Sequence, residues 1–143
     1  MNINLTAPAV ARREILIHAP VEKVWQIQTD IENWSAWQHD ITSAKLNGGL
    51  KMGSTFRWKA QGLNITSRLH TVEPPHRLGW TGVALGMSAI HNWTFEARGD
   101  ATLAVTEESL SGWLTRLMLF FDPRFLEKSL EATLQRLKVK AEA

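Results

Sequence analysis

His91 is the residue in this chain best placed to do chemistry. It falls in a stretch, residues 87–96, where Met87, Ala89, His91, Trp93 and Phe95 share one face against Ser88, Ile90, Asn92, Thr94 and Glu96. Alternation with a period of two marks a half-buried strand, so an imidazole is set among apolar side chains. Ala97-Arg98-Gly99-Asp100 reads as a hairpin turn, and residues 101–109 return with a second alternation. A hairpin centred on Gly99 sets Phe95 against Leu103, Trp93 against Val105 and His91 against Glu107. A histidine beside a carboxylate in apolar surroundings can be oriented, held charged or made to pass protons. The plainer alternative is a core histidine satisfied by one hydrogen bond, with Glu107 at the cavity mouth. His91 and Glu107 are the catalytic candidates, and no catalytic role is fixed by the residues alone.

Aromatic residues are the second chemical signal. The chain has seven Trp and no Tyr. Phe56, Trp58, Trp80 and Trp93 fall on the apolar face of successive strands. Such rings can stack a planar or steroid-like ligand, or they can simply fill a core. Ser67 and Leu69 share that face, and Ser67 could hydrogen-bond a ligand or be a small residue near an edge. Leu117 and Phe121 approach the same interior from the C-terminal segment. The candidate ligand-binding set is thus Phe56, Trp58, Ser67, Leu69, Trp80, His91, Trp93, Leu117 and Phe121.

The elements that must position these residues follow from periodicity. Residues 1–10 read as a loose lead-in. Residues 11–18 form a strand, with Ile15 and Ile17 opposite Leu16. Pro20 suits a first helical turn, and Val21, Val24, Trp25 and Gln28 share a face, giving a helix over 20–29. A second short helical piece runs from Asp30 to about Asp40, with Trp34, Trp37 and Ile41 on one side. Strands follow over 43–47, 54–60, from Leu63 to the break at Glu73-Pro74-Pro75-His76, from Arg77 to Gly82, and over 87–96 and 101–109. Arg57, Lys59, Arg68 and His70 fall on the opposite, solvated face. The order strand, helices, strands, helix is α+β, with an antiparallel sheet dry on one side.

The C-terminal stretch from Trp113 onward is helical but carries two apolar stripes. Leu114, Leu117, Met118, Phe121 and Phe125 cluster on one face. Leu126, Leu130, Leu134 and Leu137 cluster on a face about 150° away round the axis. Asp122-Pro123 stands where the stripe jumps, and Asp followed by Pro suits a stop and restart. The spacing predicts a break at Phe121–Pro123, a lid from Trp113 to Phe121, and a gripped helix from Pro123 to Lys140.

Composition narrows the function classes. A chain of 143 residues with 44% hydrophobic and 21% charged content fits one domain with a real core. A net charge of +2 without a basic cluster argues against a nucleic-acid partner. The absence of Cys excludes disulfides, thiolate metal sites and a Cys nucleophile. The five His show no metal-ligand spacing, so no metal site and no cofactor are implied. There is no phosphate-binding loop, no dinucleotide fingerprint and no G-x-S-x-G. No apolar run is long enough for stable membrane insertion, and no secretory leader is visible, so a cytoplasmic protein is expected.

Several phrases in their order resemble the START-like, or SRPBCC, superfamily and its polyketide cyclase/dehydrase-like members. They are IHAPVEKVWQIQTDIENWSAW at 17–37, GSTFRW at 53–58, ITSRLHTVEPPHRLGWTG at 65–82, HNWTFEARGDATLAVTEES at 91–109 and LEATLQRLK at 130–138. The resemblance implies a helix-grip fold: a curved seven-stranded antiparallel sheet around a long C-terminal helix, with two short helices after strand 1 and an apolar cavity between. It implies binding of a lipid, polyketide or aromatic compound, and it carries over no catalytic residue. Three functions stay open: a carrier of a hydrophobic ligand, a cyclase or dehydratase using His91 as acid/base, and a protein-interaction module of the chaperone co-factor kind. Oligomeric state is not readable.

Overall fold

The computed structural model describes residues 1–143. Its elements are β1 (Ala9–Ile17), α1 (Val21–Thr29), a 3₁₀ helix (Ile31–Ala36), β2 (Ile41–Asn47), β3 (Thr55–Ala60), β4 (Leu63–Glu73), β5 (Arg77–Ala84), β6 (Met87–Arg98), β7 (Ala101–Ser111), α2 (Trp113–Phe121) and α3 (Phe125–Glu142). The seven strands make one antiparallel sheet in the order β1-β7-β6-β5-β4-β3-β2. From β2 to β7 the chain is a meander, and β1 returns to pair with the last strand. This is the α+β helix-grip that the sequence implies. β1 starts at Ala9, which pairs with Leu110, so the lead-in is shorter than expected and is tied down where Asn4 N–H donates to Ser109 Oγ at 3.0 Å.

Turn geometry sets the registers. Gln61 (φ 50) and Gly62 (φ 81) both take the left-handed conformation that a two-residue hairpin loop requires, pairing Ala60 with Leu63. At the β6–β7 turn, Gly99 (φ 61) opens a loop of two residues, Gly99 and Asp100, so Arg98 pairs with Ala101. The expected hairpin centred on Gly99 is therefore one residue out of register. A slip of one residue exchanges the two faces of a strand. Thr102, Ala104, Thr106, Glu108 and Leu110 belong to the concave side, and Leu103, Val105, Glu107 and Ser109 belong to the outer side. The inward threonines are satisfied: Thr102 Oγ1 donates to the Ala19 carbonyl at 2.8 Å.

The concave side grips α3 as the apolar spacing predicts. Leu126, Leu130, Leu134, Leu137 and Ala141 are buried in one stripe. Leu134, Leu137 and Ala141 pack with Trp25, Trp34, Phe56, Trp80, Trp93 and Phe95 in the main core. Leu126 and Leu130 pack in a smaller cluster with Ala9, Ala11 and Leu110.

The helix breaks where the stripe jumps. Asp122 is extended (φ −146, ψ 95) because the following Pro disfavours helical geometry. Its carboxylate accepts the Arg124 N–H at 3.1 Å and pairs with Lys128 at 3.1 Å. The gripped helix begins at Phe125, two residues later than the sequence suggests.

α2 is oriented differently from the expected lid. Leu114 N–H donates to the Gly86 carbonyl at 2.9 Å. Gly86 lies so close to Trp113 that a Cβ would stand 2.6 Å from its indole, and a Cβ on Gly112 would stand 2.3 Å from Gly86 O. That backbone contact seats α2 on the β5–β6 turn and aims Leu117 and Phe121 at solvent, 46% and 77% exposed. Met118 and Phe125, from the same predicted stripe, face inward.

Candidate ligand cavity

Between the concave sheet and the N-terminal half of α3 lies a cavity of about 430 Å³. One helix cannot fill so curved a sheet: the main core engages the C-terminal half of α3, the small cluster engages Leu126 and Leu130, and space remains beside them. Trp34, Trp58, Trp80 and Trp93 form its aromatic wall, with Ile65, Ala89 and Leu110 between them. Trp34 is the hub of that wall, its ring centroid 5.4 Å from those of both Trp58 and Trp80. Its indole N–H donates to the Gln28 carbonyl at 2.9 Å, and that of Trp58 donates to Ser67 Oγ at 3.0 Å. Both rings are thereby fixed in angle.

The polar centre of the cavity is His91 with Glu108. His91 pairs with Glu108 across β6 and β7, and its Nδ1 lies 3.5 Å from Glu108 Oε2. The ring is clamped between Trp80 and Trp93, centroids 4.8 and 5.7 Å away. Its Nε2 lies 2.8 Å from Thr106 Oγ1, and that hydroxyl is also within 3.3 Å of the Asn92 carbonyl. A carbonyl can only accept, so Thr106 donates there and takes the His91 Nε2–H. This assignment leaves Nδ1 with its lone pair facing the Glu108 carboxyl. Burial pushes the Glu108 carboxyl up to about 8 and the His91 imidazole down to about 3. At neutral pH the pair is a carboxylic acid beside a neutral imidazole. Such a pair can hand a proton to a carbonyl oxygen or accept a hydrogen bond from a hydroxyl.

Two ion pairs also line the cavity. Arg136 donates to Asp40 at 2.8 Å, with Gln61 Nε2 at 3.4 Å from the same carboxylate oxygen. The Arg136 hydrogen bond holds the Asp40 carboxyl below its ordinary value. The second pair is Asp122 with Lys128, at the α2–α3 break.

Of the sequence-derived candidates, Trp58, Trp80, His91 and Trp93 line the cavity together. Phe56 and Leu69 are fully buried in the core behind it. Ser67 is buried as the acceptor for Trp58. Leu117 and Phe121 are turned out to solvent, because the Gly86–Gly112 contact sets the roll of α2. Glu107 is on the outer face, where it accepts Asn92 Nδ2–H at 3.2 Å, and it is Glu108 that meets His91. Sequence reasoning missed Glu108 and Trp34. The signal for Glu108 was the two-residue loop Gly99-Asp100, and for Trp34 its place on the packing side of the short helical piece.

A concave antiparallel sheet closed by a C-terminal helix, with an aromatic cavity between, defines a helix-grip ligand-binding fold. Residues 8–142 match the family described as polyketide cyclase / dehydrase and lipid transport, and the chain belongs to that family. No curated protein is similar enough in sequence to match. Among solved structures, a hypothetical protein from Helicobacter pylori is similar with a TM-score of 0.86 and 20% identity over 97% of this chain and 91% of that one. The Zhui aromatase/cyclase from a Streptomyces species has a TM-score of 0.81 and 14% identity over 94% and 93% of the two chains. A START superfamily protein from Mycobacterium smegmatis has a TM-score of 0.75 and 14% identity over 93% and 97%. At these identities the likeness is one of fold. The family supports a ligand-binding or cyclase-type role, and no helix is long and apolar enough to cross a membrane.

Proposed function

We propose that this protein binds a hydrophobic aromatic or polycyclic small molecule in the cavity between sheet and α3, with the His91–Glu108 pair as its polar handle. The observation that carries the reading is an unfilled space of about 430 Å³ walled by four Trp rings around a carboxyl. Water resting on so much apolar ring surface is displaced at a gain by a hydrophobic molecule of matching size. The unfilled interior also speaks against the protein-interaction reading. Ala89 lies on the cavity wall two residues before His91 on the same face of β6, so Ala89→Phe sets a ring into the space while His91 and Glu108 stay in the chain. Native mass spectrometry of the purified wild type should find a small-molecule adduct, one per chain, that is absent from Ala89→Phe. The same adduct on both proteins would defeat the proposal.

A cyclase-type reaction is the second reading, favoured by the 3.5 Å approach of His91 Nδ1 to Glu108. In that case His91→Ala abolishes turnover and leaves ligand affinity nearly intact. A carrier loses affinity modestly and has no turnover to lose.

A further inference from the structure

Five buried polar atoms have no hydrogen-bond partner: Gln28 Oε1, Ser54 Oγ, His70 Nε2, Asn92 Oδ1 and Trp93 Nε1. A folded chain leaves few such atoms, so each needs a cause. His70 Nε2 and Asn92 Oδ1 crowd together over Gly79, 2.8 and 2.7 Å from where its Cβ would stand, and Ser54 sits beside Gly48. None of these three lines the cavity. Trp93 does, but its ring is stacked between His91 and Phe95 and has no room to turn. Gln28 is different. It lines the cavity, it is 3% exposed, and its carboxamide ends a string of rotatable bonds. Its backbone carbonyl takes the Trp34 indole N–H, so the side chain belongs to the Trp34 end of the wall. Other polar groups of the wall are spent on one another: Gln38 Nε2 donates to Thr133 Oγ1, and Asp40 accepts from Arg136 and Gln61. Trp80 joins this end to the handle, its ring centroid 5.4 Å from that of Trp34 and 4.8 Å from that of His91.

We infer that Gln28 is a second polar anchor of the cavity and sets its specificity: the carboxamide binds a hydroxyl on the end of the ligand that lies toward α1, while the His91–Glu108 pair holds the other end. The inference rests on the ligand-binding reading above and adds a second polar function to the ligand. A hydroxyl both donates and accepts, so it pairs with Oε1 or with Nε2, whichever the side chain turns toward it. A bare ring edge at the same place leaves the amide shut away from water and unpaired, which costs binding free energy. Selection against a ligand that lacks the hydroxyl follows from that cost.

The test is calorimetric titration of the wild type and of Gln28→Met with three compounds of one skeleton. They are β-naphthol, with a hydroxyl on one ring, and the two naphthalenediols that add a β-hydroxyl to the other ring. Methionine keeps the length and unbranched shape of the side chain and removes its donor and acceptor. On the wild type the better diol should bind about fivefold or more tightly than β-naphthol, the scale of one hydrogen bond made to a buried neutral group. In Gln28→Met that advantage should vanish, with β-naphthol affinity nearly unchanged. The retained β-naphthol affinity shows that the cavity itself is intact in the variant. Diols that bind the wild type no more tightly than β-naphthol overturn the inference and leave the cavity reading standing. So does a diol advantage that survives in Gln28→Met, or an equal loss of all three compounds there. Failure of all three to bind the wild type overturns both readings.

Discussion

Replacing Glu108 with Gln keeps the shape of the side chain and removes its titration, and the consequence can be worked from the buried pair. Folded Glu108 holds its proton up to about 8, against 4.5 for the unreacted side chain. Between those values the folded state binds more protons than the unfolded one, so stability falls as pH rises, by up to about 1.4 kcal/mol per pH unit. His91 has the opposite sign. Its pKa is lowered from 6.5 to about 3, so the folded state binds fewer protons in that window and stability falls as pH drops. From 4.5 to 6.5 the two slopes cancel, and the wild type should show a plateau. Above 6.5 only the Glu108 slope remains, and the wild type should lose about 2 kcal/mol by pH 8. Over the whole Glu108 window the ceiling is about 5 kcal/mol, which water drawn into the cavity reduces. Glu108→Gln lacks that slope, so the stability difference between the two proteins should move by about 2 kcal/mol in favour of the variant from pH 6.5 to 8. Urea unfolding of both proteins at steps from about pH 5 to about pH 9 reads the difference, and every other ionisable group is common to the two. Curves that run parallel from pH 6.5 to 8 would refute the buried neutral pair.

Other consequences follow from packing. Gly86→Ala forces a side chain into a left-handed residue (φ +75) and against Trp113, and should cost about 1–3 kcal/mol in urea unfolding while loosening α2. Leu134→Ala empties a fully packed site in the gripped stripe and should cost about 2–5 kcal/mol. Phe121→Ser changes a residue that is 77% exposed and should fall within about 0.5 kcal/mol of wild type, whereas a lid packed on the cavity would lose far more.

The fold was legible because each strand from β3 to β6 puts its large apolar residues on alternate positions. Phe56 and Trp58, Leu78 and Trp80, or Trp93 and Phe95 can face only one way without exposing a ring. The α3 stripe was legible for the same reason at helical spacing. β7 was not, because both of its faces carry apolar residues: Leu103 and Val105 on one, Ala104 and Leu110 on the other. Periodicity could not choose between them, and the length of the β6–β7 loop decided. That one residue of register replaced Glu107 by Glu108 as the partner of His91. α2 failed for a related reason. WLTRLMLFF is apolar nearly all round, so its pattern does not say which side meets the sheet. The contact that decides, Gly86 against Gly112, joins residues far apart in the chain and has no local signature. The ion pair of Asp40 with Arg136, spanning 96 residues, is likewise a product of the closed fold.

The tryptophans themselves give the most direct test that the cavity takes a ligand. In a titration with a neutral aromatic such as tryptophol, the indole N–H proton resonances report each ring separately. Trp34, Trp58, Trp80 and Trp93 line the cavity, while Trp113 is 61% exposed on α2. The cavity account predicts that the signals of the four wall tryptophans shift together along one saturating curve while Trp113 stays in place. A shift of Trp113 with the four wall signals unmoved would contradict it.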